Sequence, residues 1–423
     1  MAKKIRNIRE KDLIAAVDIG GSKVACVIAQ LTQVVDGELE ADVIGVGQHG
    51  GLAKERNIDV EAALRSAVEA AERMAGETVR RVYASIGGRS LSVRRIGVDL
   101  DIDGGVITTE DVEDCLSQGG IAATPEGSTL LHALPIRFTI DGEATPNDIA
   151  GLAGRVLGAE MLGVCVKDSK VENLEALLER CGLELEETIA APIAAAESSV
   201  FQDEKDLGAL LVDIGARSTE YALFEKGALV ACGGVPVGGE HVTRDLAQIF
   251  GAPIASAERV KTLHGSAIVT SGDDHRFVDF PQLGAETEIA RHTKAEVAGV
   301  ITPRLEEILE LTLEALPKTG VRRLAISRAV LTGGGSLLVG ARETAERVLG
   351  VRTHLRRPET LSGAPDAATT PQFAVAVGLL KCVARERARR RQRPQLKLKI
   401  GSGSGNGGGR LLGGVGHWLR QNF

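Results

Sequence analysis

The chain has 423 residues, 43% of them apolar and 25% charged, with a net charge of −7; this globular balance suits two to four domains and can bury a real core. Aromatic residues make up only 3%, so Val, Ile, Leu and Ala must fill that core, and base-stacking platforms for single-stranded nucleic acid are not expected. The start MAKKIRNIREKD has no apolar signal-peptide stretch and no run reaches the ~18 apolar residues of a membrane span, so the expected compartment is cytoplasmic.

The expected fold class is α/β, since strand-like and helical runs alternate through most of the chain. After an N-terminal tail (1–12), LIAAVDI and KVACVIAQL read as a hairpin turned at Gly20, Gly21 and Ser22. DVEAALRSAVEAAERMAG has helical periodicity, with Asp59 as N-cap and Gly76 as stop, and VRRVYASIGG is the next strand. Residues 86–170 read as an inserted α+β module between the two parts of a first core subdomain, 13–85 and 171–205. Its strands are SLSVRRIGVDLDI, TLLHALPIRFTID and LGVCVKDS, while TTEDVEDCLSQGGIAA and PNDIAGLAGRVLGAE read as helical or turn segments. KVENLEALLERCG returns to helix.

A second core subdomain, 206–242 and 322–383, opens on LGALLVDIGARSTEYALFEKGALVACGGVPVGG, another hairpin. Within it, 243–321 form a small subdomain whose long amphipathic helix, TKAEVAGVITPRLEEILELTLEALPKTG, is expected to break at Pro303. RAVLTGGGSLLVGARETAERVLG reads as strand, glycine turn and helix, and TPQFAVAVGLLKCVARERARRR as the last helix. A basic, then Gly/Ser-rich linker is expected over 384–409, although the basic stretch 385–393 could also extend the last helix. Residues 385–423 carry a net of +9, which leaves −16 for the rest. An acidic body with a basic tail suggests that the tail meets something anionic. The six cysteines are scattered without C-x-x-C pairs, as for small buried thiols in a reducing compartment.

Two stretches nearly repeat each other: AAVDIGGSKVACVI (15–28) and LLVDIGARSTEYAL (210–223). An acid at a strand end followed by a glycine turn suits phosphate and metal, because turn amides can point at phosphate oxygens and Mg²⁺ is often held by carboxylates through water. Asp18 and Asp213 are therefore the candidate Mg²⁺ ligands via water, and two such hairpins facing each other could grip a polyphosphate from both sides. A third glycine turn, Gly333, Gly334 and Gly335 before Ser336, could pack against a flat base.

The run from Asp18 through Gly20, Gly21 and Ser22 to Lys23 resembles the first phosphate motif of the actin superfamily. Asp213 with Gly215, Ala216, Arg217, Ser218 and Thr219 resembles its second, and the Gly333–Ser336 turn its adenosine motif. AAPIAAAESSV and PQFAVAVGLL resemble the two connecting helices. The resemblance implies an actin-like two-lobed fold with ATP and Mg²⁺ between the lobes. It also implies that Gly239 and Glu240 touch sugar and phosphate, and that Glu258 and Lys261 reach ribose and adenine. Many hydrolases of the superfamily carry Glu or Gln where this chain has Ala191, so ATP binding with weak or undetectable hydrolysis is expected, without a confident catalytic residue.

Within the superfamily the chain resembles the FtsA family of bacterial division proteins. The module after RRVYASIGG, the runs HALPIRFTID and GLAGRVLGAEM, the segment APIASAERVKTLHGSA and the tail GHWLRQNF carry this likeness. It implies self-assembly into filaments, recruitment of later division proteins and a place at the cytoplasmic face of the inner membrane, at the division site. It also implies that 243–321 receives the acidic C-terminal tail of the tubulin-like FtsZ, with Arg291, His292, Lys294 and Arg304 beside apolar Val297, Val300 and Ile301 as the groove.

The tail supports a membrane role independently. On a helical wheel Leu411, Leu412, Val415, Trp418, Leu419 and Phe423 share a face over 410–423, with Arg420 at its edge. That is an amphipathic helix suited to anionic lipid. Gly413, Gly414 and Gly416 disfavour it in water by ~1 kcal/mol each, so folding is expected on the membrane, unless the tail docks on the body or a partner. Two rivals share the fold: a sugar or acetate kinase, and an actin-like pilus assembly protein. Neither accounts for this tail.

Overall fold

A computed structural model describes residues 13–33, 38–50, 60–145, 149–316 and 326–392. The expectations for residues 1–12, for Asp59 and for everything from 393 onward, including the amphipathic tail, lie outside the described residues.

The first hairpin is β1 (Leu13–Ile19) with β2 (Lys23–Gln33), antiparallel and with Asp18 opposite Ala25. A third strand passed over by the sequence reading, β3 (Leu39–Gly50), pairs with β2. Its glycines and acids lower its strand propensity, but two of those glycines serve packing. Helix α1 (Val60–Ala75) buries Ala63, Leu64, Ala67, Val68 and Ala71. It lies so close to β3 that a methyl group on Gly45 or Gly47 would strike the helix backbone at Ala71 or Ala67. β4 (Arg81–Ile86) then runs parallel to β1.

The inserted subdomain consists of β5 (Leu91–Asp101), α2 (Thr109–Ala123), β6 (Ser128–Ile140), β7 (Glu143–Thr145) and β8 (Val156–Lys167). Its sheet order is β5-β8-β6-β7. α2 starts on a capping box in which Thr108 and Asp111 satisfy each other's backbone amides. Its core gathers Leu116, Phe138, Leu157 and Met161. One expectation is corrected here: VLGAE (156–160) is not helix or turn but the first half of β8. That strand is buried on both faces, so it lacks the alternation that would have marked it.

The chain returns through α3 (Asp168–Arg180) and β9 (Glu184–Ala190), which runs parallel to β4, and then through α4 (Ala191–Ser199) and α5 (Gln202–Leu207). The second lobe opens on β10 (Ala209–Ile214), β11 (Thr219–Glu225) and β12 (Ala228–Val235). Its small subdomain holds α6 (Gly239–Ile249), α7 (Ile254–His264), β13 (Phe277–Gln282), β14 (Ala285–Thr293) and α8 (Lys294–Ala315). β15 (Arg328–Thr332), α9 (Ala341–Leu349), β16 (Arg352–Leu355) and α10 (Ala374–Gln392) complete it. The two main sheets have orders β3-β2-β1-β4-β9 and β12-β11-β10-β15-β16. Each is an antiparallel three-strand meander followed by two parallel strands, so the repeat in the sequence is a repeat of topology.

Two more corrections follow. α8 runs unbroken through Pro303. The carbonyl that Pro303 leaves without a donor is that of Gly299, which faces solvent and can accept from water. The linker start expected at 384 moves back, because the last helix continues to Gln392 and takes in most of the basic stretch, as the alternative reading had it. Arg385 pairs with Glu197 at 2.9 Å, and Arg387 donates to the Tyr83 hydroxyl at 2.9 Å. The start of the basic stretch thus meets the chain's own acidic body. Among the described residues, no helix is long and apolar enough to cross a membrane.

Candidate functional site

The two Asp-Ile-Gly turns meet. A methyl group on Gly21, in the first turn, would lie 2.8 Å from Cγ of Arg217 in the second, so the backbone of one turn rests on a side chain of the other. They border a cleft of about 460 Å³ between the lobes, within the range of small-molecule sites. The walls include Asp18, Gly20, Gly21, Ser22 and Lys23 from one side, and Asp213, Gly215, Ala216, Arg217 and Ser218 from the other. Gly239, Glu240, Glu258, Lys261 and the Gly333–Gly335 turn close a third side.

Two expected residues are not part of it. Thr219 is fully buried and donates its hydroxyl to the Val237 carbonyl at 2.8 Å. Ser336 is buried and turns its hydroxyl back onto the Gly333 carbonyl at 2.7 Å. Both hydroxyl protons are spent on carbonyls of the chain, and neither residue lines the cleft.

Strand ends place the charged groups. Asp18 accepts from the Ser85 hydroxyl at 2.7 Å. Burial pushes its carboxyl above the usual range, against the pull of Ser85 and Lys23. Burial, with Asp18 nearby, raises Asp213 to about 7. Burial and then Asp213 raise Glu220, another cleft residue, to about 8. Burial lowers Lys23 to about 8. Its ammonium is buried, has no hydrogen-bond partner among the described residues and lies 3.7 Å from the centre of the Phe373 ring.

Such a set is incomplete by itself: burial disfavours the charged form of the acids, and among the described residues the Lys23 ammonium has no hydrogen-bond acceptor. A polyphosphate with a divalent cation would supply what each lacks. Among the described residues, no three His, Cys, Asp or Glu side chains are arranged to hold a metal alone. The arrangement therefore suits an ion such as Mg²⁺ that shares two carboxylates with phosphate oxygens and water, not a closed protein cage.

The rest of the cleft braces these groups. The amides of Gly239 and Glu240 donate to the carbonyls of Gly215 and Ala216 at 2.9 and 2.7 Å, so the start of α6 holds the second turn in place. Glu240 is paired with Arg217 and Arg244 at the rim. Lys261 bridges Glu258 at 2.7 Å, the Thr243 hydroxyl at 2.8 Å and the Gly239 carbonyl at 3.0 Å. Gly333 sits at φ +81°, a left-handed conformation that favours glycine, and a methyl group there would collide with the Asp213 carboxylate. Its amide donates to the Pro371 carbonyl at 3.2 Å, which fastens this turn to the start of α10.

Sequence reasoning missed Ser85, Gly87, Gly88, Glu220 and Gln372, which line the same cleft from β4, β11 and the entry to α10. It also missed the apolar wall of Leu263, Leu338 and Val339. Glu220 had a signal: it follows Asp213 by the interval that separates Ala25 from Asp18.

The expected peptide groove is rearranged. Val297 and Ile301 are fully buried in the second-lobe core, where they pack inward. His292 stacks on Phe250, with ring centres 4.4 Å apart. Arg291 pairs with Asp279 on the β13–β14 hairpin at 3.2 Å. Arg304 is held by both oxygens of Asp245, and it shares a shallow hollow between α6 and α8 with Ile249, Val300 and Pro303. Neither Arg291 nor Lys294 lines that hollow.

Residues 210–378 match the family model of the cell division protein FtsA, and residues 88–165 match that of the SHS2 domain inserted in FtsA. The chain is 32% identical over 385 residues to the cell division protein FtsA of Rhizobium meliloti (strain 1021), covering 88% of this chain and 87% of that relative. To the FtsA of Escherichia coli (strain K12) it is 30% identical over 386 residues, covering 88% and 90%. A solved PilM-PilN type IV pilus biogenesis complex superposes with a TM-score of 0.60 at 18% identity, over 87% of this chain and 97% of that one, a likeness of fold.

Proposed function

The chain belongs to the FtsA family of cell division proteins, and from that premise we propose that it is an ATP-binding, actin-like tether that holds FtsZ filaments at the cytoplasmic membrane. The observation that carries the nucleotide part is the meeting of the two turns, Gly21 against Arg217, over Asp18, Asp213 and the unpartnered ammonium of Lys23. Asp18 and Asp213 hold Mg²⁺ through water, Lys23 neutralises phosphate, and the Gly333–Gly335 turn lies against the base. Lys261, positioned by Glu258, reaches the sugar. When bound, the metal and triphosphate supply charge that draws the lobes together, and the closed form favours filaments.

The tail 410–423 anchors the protein to anionic lipid at the inner membrane, peripherally and at the division site. One short helix binds weakly, so filament formation adds avidity. The subdomain over 243–321 receives the FtsZ tail. There the α6–α8 hollow beside Arg304 is a better-formed place for a short peptide than the separate surfaces of Arg291 and Lys294. Later division proteins bind the assembled filament.

Co-sedimentation with anionic liposomes and ATP tests this, comparing the full chain with a truncation ending at Gly409. The full chain is expected to pellet with lipid, carrying FtsZ with it, while the truncation stays in solution. Equal behaviour of the two would remove the tail as anchor.

A further inference from the structure

We infer that Arg217 makes this cleft prefer a nucleoside triphosphate to a diphosphate, its guanidinium group moving from Glu240 to the terminal phosphate. The inference rests on the nucleotide reading above and adds to it what the site discriminates.

The two turns have the same length. Their strands close at Ile19 opposite Val24 in the first and at Ile214 opposite Thr219 in the second. Position for position, Arg217 stands where the first turn has Ser22, and Lys23 stands where the second has Ser218. Each turn thus carries one cation, one position apart. Ser22 shows that such a turn closes on a small residue, so closing the hairpin does not call for an arginine. The two cations are also placed differently. The Lys23 ammonium is buried against the Phe373 ring, whereas the Arg217 side chain is 58% exposed.

The stem of Arg217 is held where the lobes meet. A methyl group on Gly21 would lie 2.8 Å from its Cγ, 3.0 Å from its Cβ and 3.1 Å from its amide nitrogen, so only a residue without a side chain lets the first turn come this close. The start of α6 braces the same turn: the Glu240 amide donates to the Ala216 carbonyl at 2.7 Å, and a methyl group on Gly238 would lie 2.9 Å from that oxygen.

The guanidinium group is exchangeable. Its Nε donates to Oε2 of Glu240 at 3.2 Å, while Arg244 pairs with Oε1 of the same carboxylate. The Glu240 side chain is only 10% exposed, and a carboxylate so buried needs a cation. Having two, it can release one and keep Arg244. An ion pair with a largely exposed member contributes little, whereas a guanidinium group on phosphate makes two parallel charge-assisted hydrogen bonds.

The position selects the terminal phosphate. With the base on the Gly333–Gly335 turn and the sugar at Lys261, the phosphates run towards the facing turns. Their chain ends where those turns touch, at Gly21 and Arg217. A diphosphate stops one phosphate short of this contact and leaves Arg217 with Glu240.

Equilibrium titrations of the full chain with Mg²⁺-ATP and, separately, with Mg²⁺-ADP test this through the ratio of the two affinities. Wild type is expected to bind ATP ~10-fold or more tightly than ADP. Arg217→Ala is expected to lower that preference about tenfold through loss of ATP affinity, the usual worth of a hydrogen bond to a charged group. Arg217→Lys, which keeps the charge without the fork, is expected to fall between the two. Equal losses for both nucleotides would make Arg217 a brace of its turn and overturn the inference. An unchanged ratio, or a wild-type chain that binds ATP and ADP alike, also overturns it. If Arg217→Ala does not fold, Arg217→Lys decides alone: a lowered ratio supports the inference, and the wild-type ratio overturns it. A wild-type chain that binds neither nucleotide defeats the nucleotide reading first.

Discussion

Within the inserted subdomain, His132 Nε2 accepts a hydrogen bond of 3.0 Å from the amide of Ala190, where β9 meets α4. Burial lowers the imidazole to about 4, so it is neutral in the folded chain at neutral pH. A folded value below the unfolded one, ~6.5, means that the unfolded chain takes up the proton first. The stability tied to neutral His132 is full above pH ~6.5 and is lost as pH falls from there towards 4, a span worth about 3 kcal/mol. The stability difference between wild type and His132→Gln, read by chemical denaturation between pH 7 and 4, should shift against the wild type as pH falls, because the raised acids Asp213 and Glu220 titrate alike in both chains. An equal slope in both chains would place the titration elsewhere. At this scale the sequence made the turns legible, because Asp18, Asp213 and their glycines act where they stand in the chain. It did not reveal Ser85 or Gln372, which only the fold brings to the cleft. Thr219 and Ser336 were misread because a hydroxyl in a glycine turn serves a carbonyl of its own loop as readily as a phosphate.

Helices α4 and α10 cross at Gly378. A methyl group there would run into the carbonyl of Ala194, so the two helices touch backbone to side-chainless backbone. Both carry alanines on the buried face and belong to a core that also draws on strands of both lobes. The crossing of these two helices is therefore tightly packed. Gly378→Ala should force the helices apart and lower stability by about 1–3 kcal/mol, the usual cost of overpacking. Thermal unfolding reads this directly, and an unchanged melting temperature would mean that the crossing is loose. Elements with a clear period were legible: α1, α2 and both Asp-Ile-Gly hairpins stand where the pattern puts them. β3 and the first half of β8 were not, one for its glycines and acids and the other for burial on both faces. Pro303 misled because a helix tolerates proline when the freed carbonyl faces water.

Over the whole molecule, two sheets of the same strand order hold two Asp-Ile-Gly turns face to face. The plan is repeated with departures: Lys23 has no counterpart in the second turn, and Glu220 has none in the first. The inserted subdomain and the basic end of α10 both rest on the first lobe, through His132 and Arg387. Equilibrium titration with Mg²⁺-ATP tests the central claim, that one nucleotide is gripped by both lobes. Wild type should bind, and Asp18→Asn in one lobe and Asp213→Asn in the other should each weaken binding at least tenfold, with the Mg²⁺ dependence reduced in both. A wild-type chain that fails to bind, or a loss confined to one lobe, would contradict a two-sided clamp.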